Sequence, residues 1–266
     1  MSSMDISNKD FNHLSQLIYS ESGINIHEGK IELLKSKIAK RMRSTKIHSC
    51  HDYLQYLAEN KDEIIEFIDT VTTNHSFFFR ENTSVQKMID ALSLENRSRK
   101  RTFNIWCAAC STGDEPYSVA IQMLEQGLVF SILATDISHS VLDTAIRGVY
   151  SQERVKNVPV PVLHKYFQKG TGKKTGCVRV KKEVMNHIEF KKFNLVSDSI
   201  PKERFDVILC RNVMIYFDDP TAENVVNRLY HALKNGGFFI IGQAESLMSL
   251  DHKFKSVKNT PSTFQK

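Results

Sequence analysis

The sequence predicts an α/β fold: a doubly wound, mostly parallel sheet, with an N-terminal helical domain and a small antiparallel β insertion. Three observations predict this fold. Residues 1–90 contain only helical periodicity, whereas apolar strands alternate with helical patterns beyond residue 100. The first of these strands is followed by a turn of small residues and then by a helix start. A glycine-rich segment with strand-like alternation interrupts the second part of the chain.

Residues 1–90 are expected to form the helical domain, and residues 91–266 the sheet domain. Ser7 to Asp10 resembles a capping box ahead of the first apolar stripe, and Gly23 is expected to end that helix. Apolar residues then recur at helical spacing as far as Val71. The polar run from Ser93 to Arg101 is expected to be the linker between the two domains.

Four strands and three helices are predicted in the sheet domain. The strands are expected at residues 103–106, 132–135, 206–210 and 238–242, and the helices at residues 116–125, 138–147 and 221–233. This alternation is typical of a doubly wound sheet, whose ligand binds at the carboxyl ends of the strands. The glycine-punctuated segment 170–184, followed by 187–190, is expected to form an antiparallel insertion at about residues 165–190.

The stretch from Asn104 to Ile121 is typical of a buried strand, a small-residue turn and a helix start, a geometry that cradles a cofactor. The next strand ends at Asp136, which follows Gly113 by 23 residues. That is about the spacing at which a carboxylate binds a ribose in α/β proteins. A nucleoside cofactor is therefore the first hypothesis.

The composition of the turn favours one class of nucleoside cofactor. A dinucleotide-binding turn carries the pattern G-x-G-x-x-G, whereas this turn has only Gly113. Asp114 and Glu115 begin the helix, where a carboxylate repels a pyrophosphate and suits the ammonium and sulfonium of S-adenosylmethionine. The turn therefore favours a methyltransferase over a dehydrogenase. The alternative is that both acids only stabilise the helix dipole.

Composition and cysteine spacing exclude several other classes of protein. With 41% apolar and 25% charged residues, the chain has the composition of a soluble globular protein, and no apolar run has the length of a membrane span. The N-terminus has no signal-peptide core, so a cytoplasmic location is expected. Cys107 and Cys110 form a C-x-x-C with no second pair of ligands, so packing is expected for them and no metal site is predicted.

The net charge of +6 is concentrated in one segment. Lys30 to Lys46 holds seven basic side chains against the single acid Glu32, so this segment carries the whole excess. Apolar residues recur at helical spacing through the same segment, so one stripe can face a core. The basic face of this predicted helix is either a solvated lysine-rich surface or a docking surface for an acidic partner, namely nucleic acid, anionic lipid or an acidic protein.

Five short motifs resemble those of one known family. They lie in order along the chain: Thr72-Thr-Asn-His-Ser-Phe-Phe-Phe-Arg-Glu81, Cys110-Ser-Thr-Gly-Asp-Glu-Pro-Tyr-Ser118, Ala134-Thr-Asp-Ile-Ser138, Arg211-Asn-Val-Met-Ile-Tyr-Phe217 and Gly242-Gln-Ala-Glu-Ser246. This succession resembles the CheR family, bacterial chemotaxis methyltransferases that methylate glutamates on chemoreceptors. The resemblance implies an S-adenosylmethionine-dependent methyltransferase sheet, O-methylation of protein glutamates, and S-adenosylhomocysteine as product. The helical front end and the insertion also resemble the family's two accessory regions.

The resemblance implies roles for individual residues. Arg80 and Tyr216 match residues that border the transferred methyl, so they are the expected catalytic residues. The expected cofactor-binding residues are Asn74, Ser76, Arg80, Glu115, Asp136, Asn194, Leu195, Arg211 and Asn212. Among them, Glu115 is expected on the methionine ammonium and Asp136 on the ribose hydroxyls. Asp114 stands where the family typically has Glu, and it is left outside the site.

Each of these side chains also has a purely structural interpretation. Asn74 and Ser76 could cap the following helix, and Asp136 could cap the helix after its strand. Tyr216 could simply pack beside Phe217. The family usually has Thr in place of Ser76, and the hydroxyl common to both residues preserves the implied contact.

The implied reaction is an in-line displacement at the sulfonium methyl by a receptor glutamate oxygen. A glutamate with a pKa of about 4.3 is already ionised at neutral pH, so no catalytic base is expected. The enzyme has to align carboxylate, methyl and sulfur and to remove water, and such positioning supplies up to roughly 7 to 11 kcal/mol. Arg80 is expected to orient the reactants by charge, and Tyr216 by hydrogen bonding.

The resemblance also implies partners. Receptor cytoplasmic regions in this family's setting are acid-rich helices, so the basic helix Lys30 to Lys46 is expected to dock against them. In some family members the β insertion captures a receptor C-terminal peptide by strand addition, and residues 170–190 resemble that version.

Other partners and functions are weighed against this one. No D/N-P-P-Y motif is present, so a nucleic-acid partner is disfavoured; neither membrane insertion nor an oligomer is expected. A nucleic-acid or small-molecule methyltransferase, and a non-catalytic cofactor-sensing adaptor, are the alternative functions.

Overall fold

The computed structural model describes residues 6–26, 31–202 and 204–266. The α-helices in these ranges are α1 (Asn8–Ser22), α2 (Ile31–Thr45), α3 (Cys50–Glu59), α4 (Lys61–Val71), α5 (Asn82–Ser98), α6 (Asp114–Glu125), α7 (His139–Arg147), α8 (Val160–Tyr166), α9 (Lys182–Met185) and α10 (Asp219–Ala232). The strands are β1 (Thr102–Ala108), β2 (Val129–Asp136), β3 (Val149–Ser151), β4 (Phe167–Lys169), β5 (Cys177–Val180), β6 (Ile188–Lys192), β7 (Phe205–Cys210), β8 (Leu233–Ile240), β9 (Lys255–Ser256) and β10 (Thr263–Gln265).

The main sheet has seven strands in the order β6-β2-β1-β7-β8-β10-β9. The first five are parallel to their neighbours, and β10 is antiparallel to both β8 and β9. β1 and β7 are almost continuously apolar because helices cover both faces of the sheet centre. The predicted doubly wound, mostly parallel sheet is confirmed, whereas the short strands β9 and β10 at the antiparallel edge were not predicted.

The helical domain has its own apolar core. Leu14, Ile38 and Phe67 come from three different helices and are fully buried in one cluster. The predicted start and end of α1 are confirmed: the Ser7 side chain accepts from the Asp10 N–H, and Gly23 follows the helix with φ 73°.

One prediction about the segment between the two domains is wrong. The run Ser93–Arg101, expected to be a linker, forms the last turns of α5 as far as Ser98. These turns are polar because they are solvated; the Leu94 side chain is 62% exposed. The buried face of α5 joins the core of the main sheet through Met88 and Ile89, so the expected division between residues 90 and 91 falls within this helix.

A small antiparallel sheet of order β3-β5-β4 stands beside the main sheet. The insertion is confirmed, but its extent differs from the expected 165–190, because β3 lies at Val149–Ser151 and β6 does not belong to it. β6 pairs in parallel with β2 at the edge of the main sheet. Its alternation was mistaken for that of an antiparallel strand, because an edge strand with one exposed face has the same pattern.

The helical domain contacts the carboxyl ends of the main strands. The Asn194 side-chain amide donates to the Glu21 carbonyl at 2.7 Å, and the Asn25 N–H donates to the Tyr216 carbonyl at 2.8 Å. The Ser138 hydroxyl donates to the Asp69 carboxylate of α4. These contacts place helical-domain residues around the functional edge of the sheet. None of the helices in the described ranges has the length and apolar character needed to cross a membrane.

Candidate active site

A cleft with an empty volume of about 920 Å³ lies at the carboxyl ends of β1, β2, β6 and β7. Residues of the helical domain, Ser22 and Ile24, line the opposite wall. All the residues predicted from the sequence line this one cleft: Asn74, Ser76, Arg80, Glu115, Asp136, Asn194, Leu195, Arg211, Asn212 and Tyr216.

The turn after β1 has an unusual backbone. Ala109, Ser111 and Gly113 have φ values of 62°, 49° and 87°, so the chain reverses within five residues. A Cβ added at Gly113 would lie 2.8 Å from the Ala145 Cβ, so glycine is required both for its conformation and for the approach of α7. The Ser111 N–H donates to the Asp136 carboxylate at 2.8 Å. The turn is therefore held against the end of β2.

Asp136 is buried at the end of β2, and its carboxylate accepts two backbone bonds. The donors are Ser111 N–H and Ser138 N–H, at 2.8 and 3.0 Å. Burial raises the pKa of Asp136, although these bonds oppose the rise. Ser138 is the N-cap residue of α7, so its bond to Asp136 involves no N–H within the helix and Asp136 does not cap α7. The Asp136 carboxylate lines the cleft.

Glu115 forms an ion pair with Arg211 inside the cleft wall. Arg211 Nη1 donates to Glu115 Oε2 at 2.6 Å, and the two side chains are 3% and 17% exposed. Burial raises the pKa of Glu115, although the Arg211 charge opposes this rise. Glu115 is thus a carboxylate with one fixed cationic neighbour and one edge open to the cleft.

Two glutamates that were not predicted as site residues bind groups in the same wall. Glu81 pairs with Arg211 Nη2 at 3.1 Å and accepts from the Gln243 N–H at 2.9 Å. Burial works against ionisation of Glu81, but the Gln243 bond and the Arg211 charge lower its pKa overall. Glu81 directly follows Arg80 in the first motif, so its position beside a predicted site residue was the available indication.

Glu245 holds the loop after β7. Its carboxylate accepts the backbone N–H groups of Asn212, Val213 and Met214 at 2.8 to 2.9 Å, and that of Gly242 at 2.6 Å. Asn212 itself has φ 58°. Glu245 therefore stabilises a strained loop whose side chains line the cleft.

Arg80 and Tyr216 lie on separate loops at the cleft. Arg80 Nη1 donates to the His75 carbonyl at 2.9 Å, and its Nε lies 3.6 Å from the Glu81 carboxylate. Tyr216 ends the 3₁₀ helix Met214–Tyr216 and also lines a smaller adjoining pocket with Leu33 of α2. The structure therefore brings both predicted catalytic residues to one cavity.

The remaining predicted residues come from two loops. Asn74 Nδ2 donates to the Thr72 hydroxyl at 3.1 Å, and the Ser76 carbonyl accepts from Arg154 Nη2 at 2.9 Å. Neither caps α5, whose N-cap residue is Glu81. The carbonyl of Leu195 accepts from Arg228 at 2.5 Å, which fixes the loop after β6.

The cysteines of the C-x-x-C are buried thiols. Cys110 lines the cleft, whereas Cys107 packs in the apolar core of the sheet. Burial raises the pKa of both thiols well above the usual value, so neither is a nucleophile at neutral pH.

Comparison with known proteins identifies the family. The family described as "CheR methyltransferase, SAM binding domain" matches residues 74–263, and "CheR methyltransferase, all-alpha domain" matches residues 9–72. The chain is 36% identical to Chemotaxis protein methyltransferase 2 of Pseudomonas aeruginosa, with 95% of this chain and 91% of that protein covered. It is 35% identical to Chemotaxis protein methyltransferase of Escherichia coli, with 94% and 88% covered. It is 32% identical to Chemotaxis protein methyltransferase 1 of Vibrio cholerae, with 100% and 99% covered.

These matches confirm the methyltransferase activity and the S-adenosylmethionine cofactor expected from the sequence. The cleft lies within the part of the chain that matches the cofactor-binding domain, apart from the wall that the helical domain contributes. The chain belongs to the CheR methyltransferase family.

Proposed function

We propose that this chain transfers the methyl group of S-adenosylmethionine to glutamate side chains on the cytoplasmic helices of chemoreceptors, as a step in sensory adaptation. One observation carries the proposal: two carboxylates, Glu115 and Asp136, lie in the same cleft as the side chains of Arg80 and Tyr216. The first pair suits the cofactor, and the second pair suits an anionic acceptor. The enzyme would meet these receptor regions in the cytoplasm.

The residues of the cleft fit S-adenosylmethionine. Glu115 would hold the methionine ammonium, since its carboxylate lines the cavity beside Arg211. The Asp136 carboxylate would accept hydrogen bonds from the ribose hydroxyls, as a carboxylate at the end of the second strand does in this fold class. Asn194 and Leu195 would border the adenosyl group, while Asn74, Ser76 and Asn212 would supply further polar contacts.

A buried polar atom supports this fit. The Ser111 hydroxyl oxygen is buried at the cleft and has no hydrogen-bond partner among the described residues. Leaving such a group unpaired costs about 1 to 3 kcal/mol. A polar atom of the bound cofactor would remove that penalty.

The cofactor supplies an electrophilic methyl on a sulfonium. The acceptor glutamate needs no deprotonation at neutral pH, so this chain has to orient the acceptor rather than activate it. Arg80 would attract the carboxylate and hold it by charge-assisted hydrogen bonds. Tyr216 would fix the direction of approach, because it lines both the cleft and the adjoining pocket beside α2.

The exposed face of α2 would bind the acid-rich receptor helix. Lys40, Arg43 and Lys46 are exposed, and Leu33 at the other end of the helix lines the pocket beside Tyr216. Leu33 and Arg43 are ten residues apart, which is roughly 15 Å along the helix axis. Lys30, the first residue of the expected basic segment, lies outside the described residues.

Two of the basic side chains of α2 have internal roles. Lys37 Nζ donates to the carbonyls of Val71 and Thr72, at 3.0 and 2.9 Å. Arg41 forms a bidentate pair with Glu63 at 2.6 and 3.0 Å. The docking surface is therefore narrower than the whole basic segment, and Lys40 and Arg43 are the residues to test.

The small sheet would bind a receptor C-terminal peptide by strand addition. Its outer strands, β3 and β4, each pair with β5 on one side. Residues 164–182 carry seven basic side chains and no acid, so a peptide ending in a carboxylate has a complementary surface there. Titration with a receptor C-terminal peptide should give saturable binding, and the absence of any affinity would remove this part of the proposal.

The substrate class is tested by offering two kinds of acceptor separately. The purified protein is incubated with labelled S-adenosylmethionine and with either chemoreceptor fragments or RNA. Label should enter the receptor fragment and not the RNA. Label in RNA alone would favour a nucleic-acid methyltransferase, and no transfer to either, with cofactor bound, would favour a cofactor-sensing adaptor.

A further inference from the structure

Arg154 connects three segments of the chain. It lies in the short 3₁₀ helix Gln152–Val155 that follows β3 of the small sheet. Its Nη2 donates to the Thr112 hydroxyl at 2.6 Å, to Asp114 Oδ2 at 2.8 Å and to the Ser76 carbonyl at 2.9 Å. Its Nε also reaches Asp114 Oδ1, at 3.3 Å. One guanidinium thus joins the small sheet, the turn after β1 and the loop before α5.

The strongest of these contacts is the buried ion pair between Arg154 and the Asp114 carboxylate. Asp114 is 0% exposed, and its side chain also accepts from the Thr112 hydroxyl at 2.6 Å. A buried carboxylate that loses its cationic partner is strongly disfavoured, so Arg154 is held in place. Nε and Nη2 of the planar guanidinium face the two oxygens of Asp114, a two-atom contact that the single nitrogen of a lysine cannot make.

Arg154 acts on the cleft only through its neighbours. Arg154, Thr112 and Asp114 are absent from the described residues that line the cavity. Each acceptor, however, is a lining residue or lies next to one: Ser76 lines the cleft, and Asp114 precedes Glu115. The hydrogen bonds of Arg154 therefore fix where the loop before α5 stands relative to the start of α6.

The small sheet supports the same junction through its aromatic residues. The Tyr150 hydroxyl donates to the Thr112 carbonyl at 2.6 Å. The Phe78 ring packs edge-on against Tyr150, with centroids 4.9 Å apart, and against Phe167 at 5.3 Å. Phe78 belongs to the same loop as Ser76, so the small sheet holds this loop by apolar packing and by the guanidinium of Arg154.

We infer that Arg154 is a positioning residue for the cofactor: by bridging the Ser76 carbonyl and the Asp114 carboxylate it holds the two cofactor-binding segments at the separation that S-adenosylmethionine requires. The inference rests on the cofactor and not on the identity of the methyl acceptor. Asp114, which was not predicted as a site residue, acts here as the hydrogen-bond acceptor that holds Arg154 and not as a cofactor ligand.

The test measures the binding of S-adenosylhomocysteine to the full chain by titration calorimetry, well below the unfolding midpoint of each variant. Arg154→Lys keeps a charge beside Asp114, but its shorter side chain ends in one nitrogen and loses the two-atom contact of Nε and Nη2 with the carboxylate. The dissociation constant should therefore rise about tenfold, with little change in the unfolding midpoint. Arg154→Met with Asp114→Asn removes both buried charges. That double variant should recover most of the stability lost in Arg154→Met alone, yet still bind the ligand about tenfold more weakly.

The matched control is Lys156→Met, two residues further along. Lys156 is 61% exposed and, among the described residues, pairs only with the exposed side chain of Glu153, so the dissociation constant should not change. A residue that served folding alone would give wild-type affinity once stability is restored. Wild-type affinity in either Arg154→Lys or the double variant overturns the inference, and weakened affinity in both supports it.

Discussion

In the cleft wall, the Arg211 guanidinium lies between Glu115 and Glu81, at 2.6 and 3.1 Å. Arg80 Nε also lies 3.6 Å from Glu81, so two arginines and two carboxylates meet in this wall. Of the two carboxylates, Glu115 lines the cleft and would attract the methionine ammonium of the cofactor. A carboxylate in that place would repel a pyrophosphate.

Glu115 should make cofactor binding depend on pH. Burial raises its pKa, so on acidification it takes up a proton at a higher pH than an ordinary glutamate does, and the affinity for S-adenosylhomocysteine should decline from there. The stability of the free protein should depend on pH in the opposite direction. A carboxyl with a raised pKa favours folding at low pH, and this contribution is lost as the pH rises through the folded-state pKa.

The Glu115→Gln variant isolates this effect. At neutral pH its dissociation constant should be roughly 10- to 100-fold higher, the loss expected for one charge-assisted hydrogen bond. Its affinity should also vary less with pH, the residual slope coming from Asp136, whose pKa is raised too. Calorimetric titrations from neutral to acidic pH measure the dissociation constant and its dependence on pH. An unchanged affinity in Glu115→Gln would remove Glu115 from the ammonium site.

Arg80→Ala and Tyr216→Phe should each lower the turnover number by roughly one to two orders of magnitude. The affinity for S-adenosylhomocysteine should fall less in Tyr216→Phe than in Arg80→Ala, because Tyr216 is assigned to the acceptor alone. Initial rates at saturating cofactor provide the measurement. Arg147→Ala and Tyr230→Phe are the matched controls, since neither side chain lines the cleft. Wild-type turnover in both cleft variants would contradict the assignment.

The residues of the cleft could be predicted from the sequence because they sit in short motifs at the ends of strands. All ten selected positions line one cavity, although their individual roles are still proposals. Glu81 and Glu245 were missed because they bind the protein itself: one holds Arg211, and the other holds three successive N–H groups. Their places within the first and last motifs were the available indication, but residue type alone does not distinguish such a glutamate from a solvated one.

Among the elements, α2 combines an apolar buried stripe with a basic outer face. Leu34, Ile38 and Met42 are at most 3% exposed, while Lys40 and Arg43 face solvent. Periodicity alone predicted this division correctly. It could not separate Lys37 and Arg41, which bond within the helical domain, from the exposed basic residues, because that depends on where α4 packs.

Reversing the two exposed charges of α2 should weaken the binding of the receptor only. We expect Lys40→Glu combined with Arg43→Glu to raise the apparent KM for receptor about tenfold at low salt, with a smaller effect at high salt. The affinity for the cofactor should not change. Lys255→Glu with Lys258→Glu, on exposed residues near the C-terminus, is the charge-matched control. Equal effects of both pairs would indicate general repulsion instead of a docking surface.

The elements that were misjudged share one physical cause. β6 and the end of α5 have few buried side chains, so their sequences are set by solvent more than by the core. An edge strand then resembles part of an antiparallel insertion, and a solvated helix end resembles a linker. The central strands β1 and β7 were predicted correctly because burial on both faces leaves an unmistakable apolar run. We propose that the domain boundary lies in the loop before α5.

At the scale of the whole molecule, the helical domain completes the cleft that the sheet domain opens. Ser22 and Ile24 line the cavity from one side, and the Asp69 carboxylate of α4 accepts from Ser138 and Ser140 at the start of α7. Asp69 therefore caps a helix of the other domain beside Asp136. Cofactor binding and domain packing are expected to depend on each other.

Asp69→Ala should lower stability and cofactor affinity together. Loss of a cap costs about 1 kcal/mol, equivalent to roughly 2 to 4 °C in Tm for a chain of this size. The dissociation constant for S-adenosylhomocysteine should rise several-fold, because the end of β2 loses its support. Asp143→Ala, on the exposed surface of α7, is the control. A changed Tm with unchanged affinity would show that the interface acts on stability alone.

The cleft is expected to methylate a carboxylate oxygen of the acceptor. The most direct measurement is the lability in base of the methyl transferred from labelled S-adenosylmethionine to chemoreceptor membranes. An ester on glutamate releases its methyl as methanol in mild alkali, whereas a methylated amine does not. Release of the label in alkali from wild-type reactions, and little labelling with Tyr216→Phe, is the predicted result. Label that stays on the acceptor in alkali would contradict glutamate methylation.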